Sequence, residues 1–239
     1  MFFPIRDDQP RFSTPLVNYF IIALNALVFI FELSVQAQGP RALNELVAQF
    51  GIVPAHFQLA LSGSHRYTLA AVTLTIFTSM FMHASFAHIL GNMWVLWIFG
   101  DNIEDYLGHG AYLIFYLLCG FIASVTQIIF TIGSASSSVP NIGASGAIAG
   151  VMGAYFLLYP RAKVLTWVFF IFFWWLPAWI WLGCWFVLQS FNGAVTSIAY
   201  SNQISGGIAF MAHVGGFVAG LILIRIFPQR SRTRRYASW

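Results

Sequence analysis

Residues 141–159 read NIGASGAIAGVMGAYFLLY. The run carries no charge, and small residues recur along it at Gly146, Gly150 and Gly153. Ser145 sits among them, between Ala144 and Gly146. A hydroxyl in an apolar segment needs a hydrogen-bond partner. Glycines four residues apart let a second helix approach closely enough to bring one. The stretch therefore predicts a bundle of helices packed backbone to backbone, with a polar group held at the contact.

Composition says where such a bundle sits. Of 239 residues, 59% are hydrophobic and 8% charged, and mean hydropathy is +0.77. A soluble domain carries roughly a quarter charged residues. The expectation is an all-α polytopic membrane protein forming one membrane domain over 1–239. The first apolar segment does not read as a cleaved signal, because it lacks a small-residue cleavage site behind a basic start. Hydropathy predicts six helices, at 16–36, 78–99, 111–132, 143–159, 164–188 and 206–227. The segment 37–77 is the longest connection. Cys119 and Cys184 fall in apolar runs and read as small core residues.

Lys and Arg orient the spans. With a cytoplasmic N-terminus, Arg6, Arg11, Arg161, Lys163, Arg225, Arg230, Arg232, Arg234 and Arg235 lie inside. Arg41 and Arg66 lie outside. The expected location is the plasma (inner) membrane, with both termini cytoplasmic. The net charge of +4 then points to an anionic lipid surface rather than nucleic acid. Oligomeric state is not readable from the chain.

Strongly polar residues inside spans are costly, which makes each a candidate site. The second predicted span contains His83, His88 and Asn92, with His88 and Asn92 on one helix face at i and i+4. The sixth contains His213 in AHVGGFVAG. At about 1.5 Å per residue, Ser145, His213 and His88 lie roughly 18–21 Å from the cytoplasmic ends of their helices, a shared depth. Ala212, Gly216 and Gly220 form a small stripe to match Gly146 and Gly150. The stripes predict that the fourth and sixth helices bring an imidazole to the Ser145 hydroxyl, the arrangement that activates serine. The Ser145 N–H, the His88 ring and the Asn92 amide are the candidate donors to an oxyanion. No carboxylate is expected at that depth, so the pair reads as a Ser–His dyad.

Each residue also has a plainer reading. Ser145 alone is a packing residue, His213 alone an interhelical bond, and His88 with Asn92 a polar clamp. His83 is read as a structural hydrogen-bonder. A metal site from His83, His88 and His213 lacks a carboxylate or Cys ligand, and no cofactor is expected. The aromatic run Val168–Phe186 reads as a lipid-facing surface kinked at Pro177. Glu104, in the acidic turn FGDNIEDYLGHG, reads as an acceptor for neighbouring groups.

At these residues the chain resembles the rhomboid family of intramembrane serine proteases in its six-helix prokaryotic form. The family's G-x-S-G stands as Gly143, Ala144, Ser145 and Gly146; H-x-x-x-N stands as His88 and Asn92, with His83 upstream. A-H-x-x-G-x-x-x-G stands as Ala212, His213, Gly216 and Gly220. The resemblance covers roughly residues 16–227. It implies Ser145 as nucleophile and His213 as base, with His88, Asn92 and the Ser145 amide forming the oxyanion hole. It implies single-span or multi-span membrane proteins as substrates, cut near the outer membrane boundary. It also implies that the fifth helix and a cap at 189–205 admit substrate and water. Two features depart from the family. Many members have Trp-Arg in the first loop, where His65-Arg66 stands here. Some place a Tyr four residues after the nucleophile, against the base; Ala149 stands there, so another group must orient His213. The rival reading is a non-catalytic relative that binds transmembrane clients. A third is a small-solute channel using the histidines.

Overall fold

A computed structural model describes residues 2–199 and 209–230, apart from the side chains of 2 and 192–199. The fold is mainly helical. Helix α1 spans Leu16–Gln36, as the hydropathy predicts. The long connection after it holds two short helices, α2 (Pro40–Phe50) and α3 (Pro54–Leu61), each opened by proline in its first turn. Proline suits that position because its missing N–H would have no intrahelical acceptor anyway.

The second predicted span, 78–99, is not one helix. Helix α4 (Leu69–Ser79) stops, residues 80–85 are non-helical, and α5 runs Phe86–Leu107. Ser85 ends the break: its hydroxyl accepts the His88 N–H at 3.2 Å and caps α5. His83 therefore lies in the turn, not on the helix carrying His88 and Asn92. Gly108, at φ +82, makes the corner into α6 (His109–Thr131). Helix α7 is Ser145–Leu158 and α9 is Phe210–Leu223.

The fifth predicted span, 164–188, is also corrected. Strands β2 (Lys163–Val168) and β3 (Phe172–Pro177) form an antiparallel hairpin, and α8 (Ala178–Ala199) begins only after Pro177. Strand β1 (Phe2–Asp7) pairs antiparallel with β2, so the order is β1-β2-β3 and the fold is not all-α. A short apolar run rich in Val, Phe and Trp fits a strand as well as a buried helix. Phe169 and Phe170 turn the hairpin at φ +48° and +61°, closed by Ile171 N–H to the Val168 carbonyl at 3.0 Å. Such turns favour Asn-Gly, so two phenylalanines gave no turn signal. Pro177 ends a strand rather than kinking a helix. Cys119 is buried as expected, whereas Cys184 is exposed.

Among the described residues two helices, α1 and α6, are both long and apolar enough to cross a bilayer. The apolar helices Leu69–Ser79, Ser145–Leu158, Ala178–Phe191 and Phe210–Leu223 are shorter. The core lies where α5, α6, α7 and α9 meet, around Phe99, Tyr112, Tyr116 and Tyr155. One end of α1 is locked by polar groups. Glu104, fully buried, accepts the Val17 and Asn18 N–H groups at 2.9 and 2.7 Å and pairs with His109. Here the carboxylate does what the sequence reading assigned to it, satisfying free N–H groups at a helix N-terminus.

Candidate active site

Three helix beginnings converge on a cavity of about 610 Å³ lined by His88, Asn92, Asn141, Ser145 and His213. Ser145 is the first residue of α7, His88 the third of α5 and His213 the fourth of α9. The segment before Ser145 is pinned from two directions. Asn141 and Ile52 exchange backbone hydrogen bonds at 2.7 and 3.0 Å, and the Gly143 N–H donates to the Ser79 carbonyl at 2.9 Å. The long connection after α1 and the end of α4 thus fix the approach to the serine.

The α7–α9 contact is the one the small stripes imply. A Cβ added to Gly216 would lie 2.0 Å from the Gly146 carbonyl oxygen, one on Gly220 1.9 Å from that of Gly150, and one on Gly153 2.1 Å from that of Phe217. No side chain fits such gaps, so these backbones touch. Along that seam the Ser145 Oγ lies 2.7 Å from the His213 Nε2. His213 is 7% exposed and Ser145 only partly buried, so the hydroxyl opens toward the cavity while the imidazole sits behind it.

The second nitrogen of the base finds a partner that the sequence reading missed. His213 Nδ1 lies 2.9 Å from Gln189 Oε1, on α8. Trp185, one turn earlier on the same helix, sets its ring 5.7 Å from the imidazole. A signal existed, since Gln189 is a strongly polar residue in an apolar helix. The cap expected at 189–205 begins at this residue. Helix α8 instead runs to Ala199, and residues 200–208 lie outside the described chain.

The other polar residues sit on the opposite wall. His88 Nδ1 accepts the Ala84 N–H at 3.4 Å, which leaves the ring proton on Nε2. Gly143, at φ +130°, is necessary there: a Cβ would meet His88 Nε2 at 2.8 Å. The Asn92 amide nitrogen lies 2.9 Å from His83 Nε2, so one amide N–H is held by His83 and the other is free to face the cavity. His83 thus positions Asn92 from the turn. The turn itself hangs on Glu32 of α1, whose carboxylate oxygens accept the His83 N–H at 3.1 and 3.3 Å. A carboxylate does reach the edge of the site, but it holds backbone and makes no bond to the base. His213 has an amide, not an acid, behind it.

Residues 71–230, about two thirds of the chain, match the family model described as the Rhomboid domain. The chain is 29% identical over 150 residues to Rhomboid protein 1, mitochondrial, of Saccharomyces cerevisiae, covering 62% of this chain and 40% of that protein. It is 31% identical over 145 residues to Rhomboid protease GluP of Bacillus subtilis, covering 61% and 24%. It is 33% identical over 144 residues to the presenilin-associated rhomboid-like protein, mitochondrial, of Mus musculus, covering 60% and 33%. The aligned part is less than half the length of each of these relatives. A domain match that takes in the helices carrying His88, Ser145 and His213 makes the chain a member of the rhomboid family, whose proteins belong to membranes.

Proposed function

We propose that the chain is an intramembrane serine endopeptidase that cleaves transmembrane segments of other membrane proteins near the outer membrane boundary. The observation that carries the reading is the 2.7 Å contact between Ser145 Oγ and His213 Nε2 across a glycine seam. Kinship with a Bacillus subtilis relative named as a protease supports it.

In the proposed mechanism the Ser145 hydroxyl attacks the scissile carbonyl carbon and its proton passes to His213 Nε2. The carbonyl oxygen becomes an oxyanion. Its donors are the Ser145 N–H, His88 Nε2–H and the free Asn92 amide N–H. The Ser145 N–H belongs to the first turn of α7, where N–H groups lack intrahelical acceptors and the helix dipole favours negative charge. Collapse of the intermediate breaks the C–N bond, and the imidazolium gives its proton to the leaving amine. Water, deprotonated by His213, then hydrolyses the acyl-enzyme and restores Ser145. These residues complete the chemistry without a cofactor.

The membrane frame belongs to the same proposal. The chain is read as one six-span domain in the plasma (inner) membrane, with α5, α7, α8 and α9 crossing alongside α1 and α6. The nine-to-two distribution of Lys and Arg supports a cytoplasmic location for both termini. The test is cleavage of a transmembrane substrate in vesicles by the wild type and by Ser145→Ala. The variant is expected to fold with an unchanged melting temperature and to release no product. Retained cleavage removes Ser145 from its role, and no cleavage by the wild type favours the client-binding reading.

A further inference from the structure

Resting on the reading of Ser145 and His213 as nucleophile and base, we propose that Gln189 is the positioning residue of the base. It fixes the tautomer of His213 and ties the ring's orientation to α8. A neutral imidazole carries one ring proton, and only the tautomer protonated at Nδ1 leaves a lone pair at Nε2 to receive the serine proton. An amide oxygen 2.9 Å from Nδ1 accepts that proton and selects that tautomer. The same bond holds the ring plane so that Nε2 faces Ser145 Oγ at 2.7 Å.

Nothing on α7 can do this work. The residue one turn after Ser145 is Ala149, fully buried and with no polar side-chain atom. The neighbouring groups on α6 are neutral: the Gln127 side chain accepts the Ala212 N–H at 3.1 Å, and Thr126 bonds the carbonyl of Ile122 at 2.8 Å. Among the described residues, the titratable group of α5 that lines the same cavity as His213 is His88. From α8 come Gln189 and Trp185, both uncharged. The α8–base bond therefore replaces both the acid of a triad and a ring stacked from α7. It also makes the base sensitive to where α8 stands, because α7 and α9 are locked together and α8 is not part of that seam.

The experiment measures the rate of fluorophosphonate labelling, and kcat and KM separately for a transmembrane substrate, across pH for the wild type, Gln189→Leu and Gln189→Glu in detergent. Melting temperature is recorded for each. Gln189→Leu is expected to label ~10-fold or more slowly, as loss of tautomer control slows a serine hydrolase, with kcat falling more than KM changes. Gln189→Glu keeps an acceptor of the same shape, so labelling persists. Its carboxylate stabilises the imidazolium, so the acidic limb of the profile moves to higher pH. If Gln189→Leu melts with the wild type and labels at the wild-type rate, the proposal is overturned. It is overturned equally if the Gln189→Glu limb coincides with that of the wild type. Should Gln189→Leu not fold, the near-isosteric Glu variant decides alone. A wild type that never labels defeats the serine–histidine reading itself, a different outcome from a labelled wild type indifferent to position 189.

Discussion

Two of the helices packed against α9, α7 and α8, meet it in opposite ways. Against α7 it places backbone on backbone, with Gly216 and Gly220 so close to the carbonyls of Gly146 and Gly150 that a methyl group would overlap them. Against α8 it places ring on ring: Phe186 stacks on Phe217 at 4.6 Å between centroids, and Trp185 lies 6.3 Å from the same ring. The first contact has no room to slide, because interdigitated backbones have a single register. The second rests on side chains that can repack. The seam that holds nucleophile to base is thus the rigid one, and the helix that holds the far side of the base is the adaptable one.

That contrast is open to being broken. Gly220→Val drives a Cβ and two methyls into the Gly150 carbonyl, and should cost about 3 kcal/mol or more. Phe186→Leu keeps the ring-side contact apolar and should cost about 1 kcal/mol. Thermal unfolding in one detergent compares them directly, and equal losses would mean the two seams do not differ. Between these in size stands Asn92→Ala. It leaves both seams intact and should lower turnover about 10- to 10³-fold with little change in melting temperature, as for a lost oxyanion donor. An unchanged rate in both Asn92→Ala and His88→Ala would leave the opposite wall of the cavity without a role.

The smallest effect is expected far from the site, at the three-stranded sheet. Asp7 accepts a hydrogen bond from Tyr155, and burial raises its pKa from the ordinary carboxylate range to about 7, a rise to which Asp101 also contributes. The folded state therefore holds the proton more tightly than the unfolded chain. Its stabilising effect is complete below about pH 4, declines as the pH climbs through 7, and is gone above that. Asp7→Asn keeps an acceptor for Tyr155 and removes the titration. It should flatten the fall in melting temperature between pH 4 and 7 without altering cleavage. A variant with the wild-type slope would show that Asp7 does not carry it.

What the sequence made legible follows from the same contrast. Gly146, Gly216 and Gly220 could be read as a seam because backbone contact demands small residues at fixed spacing. The Ser145–His213 juxtaposition followed from that seam. Helix α1 was legible to the residue because it is predominantly apolar between Pro15 and Gly39, with Glu32 its one charge. The ring-built side was not. Phe, Trp and Ile serve a strand, a helix or a lipid-facing wall alike, so the hairpin 163–177 read as part of a span. The break before α5 was hidden because Met80, Phe81 and Met82 are apolar and Ser85 is too short a signal to mark a cap by itself. Gln189 is not legible as the partner of His213, because only the path of α8 brings the two side chains together.

The central claim is that a histidine of α9 activates the first residue of α7. Labelling by a serine-directed fluorophosphonate, located by mass spectrometry in the wild type and in His213→Ala, tests it most directly. The account predicts one modified residue, Ser145, in the wild type and loss of that modification in the variant. Modification of Ser145 at the same rate without His213, in a variant that melts with the wild type, would contradict it.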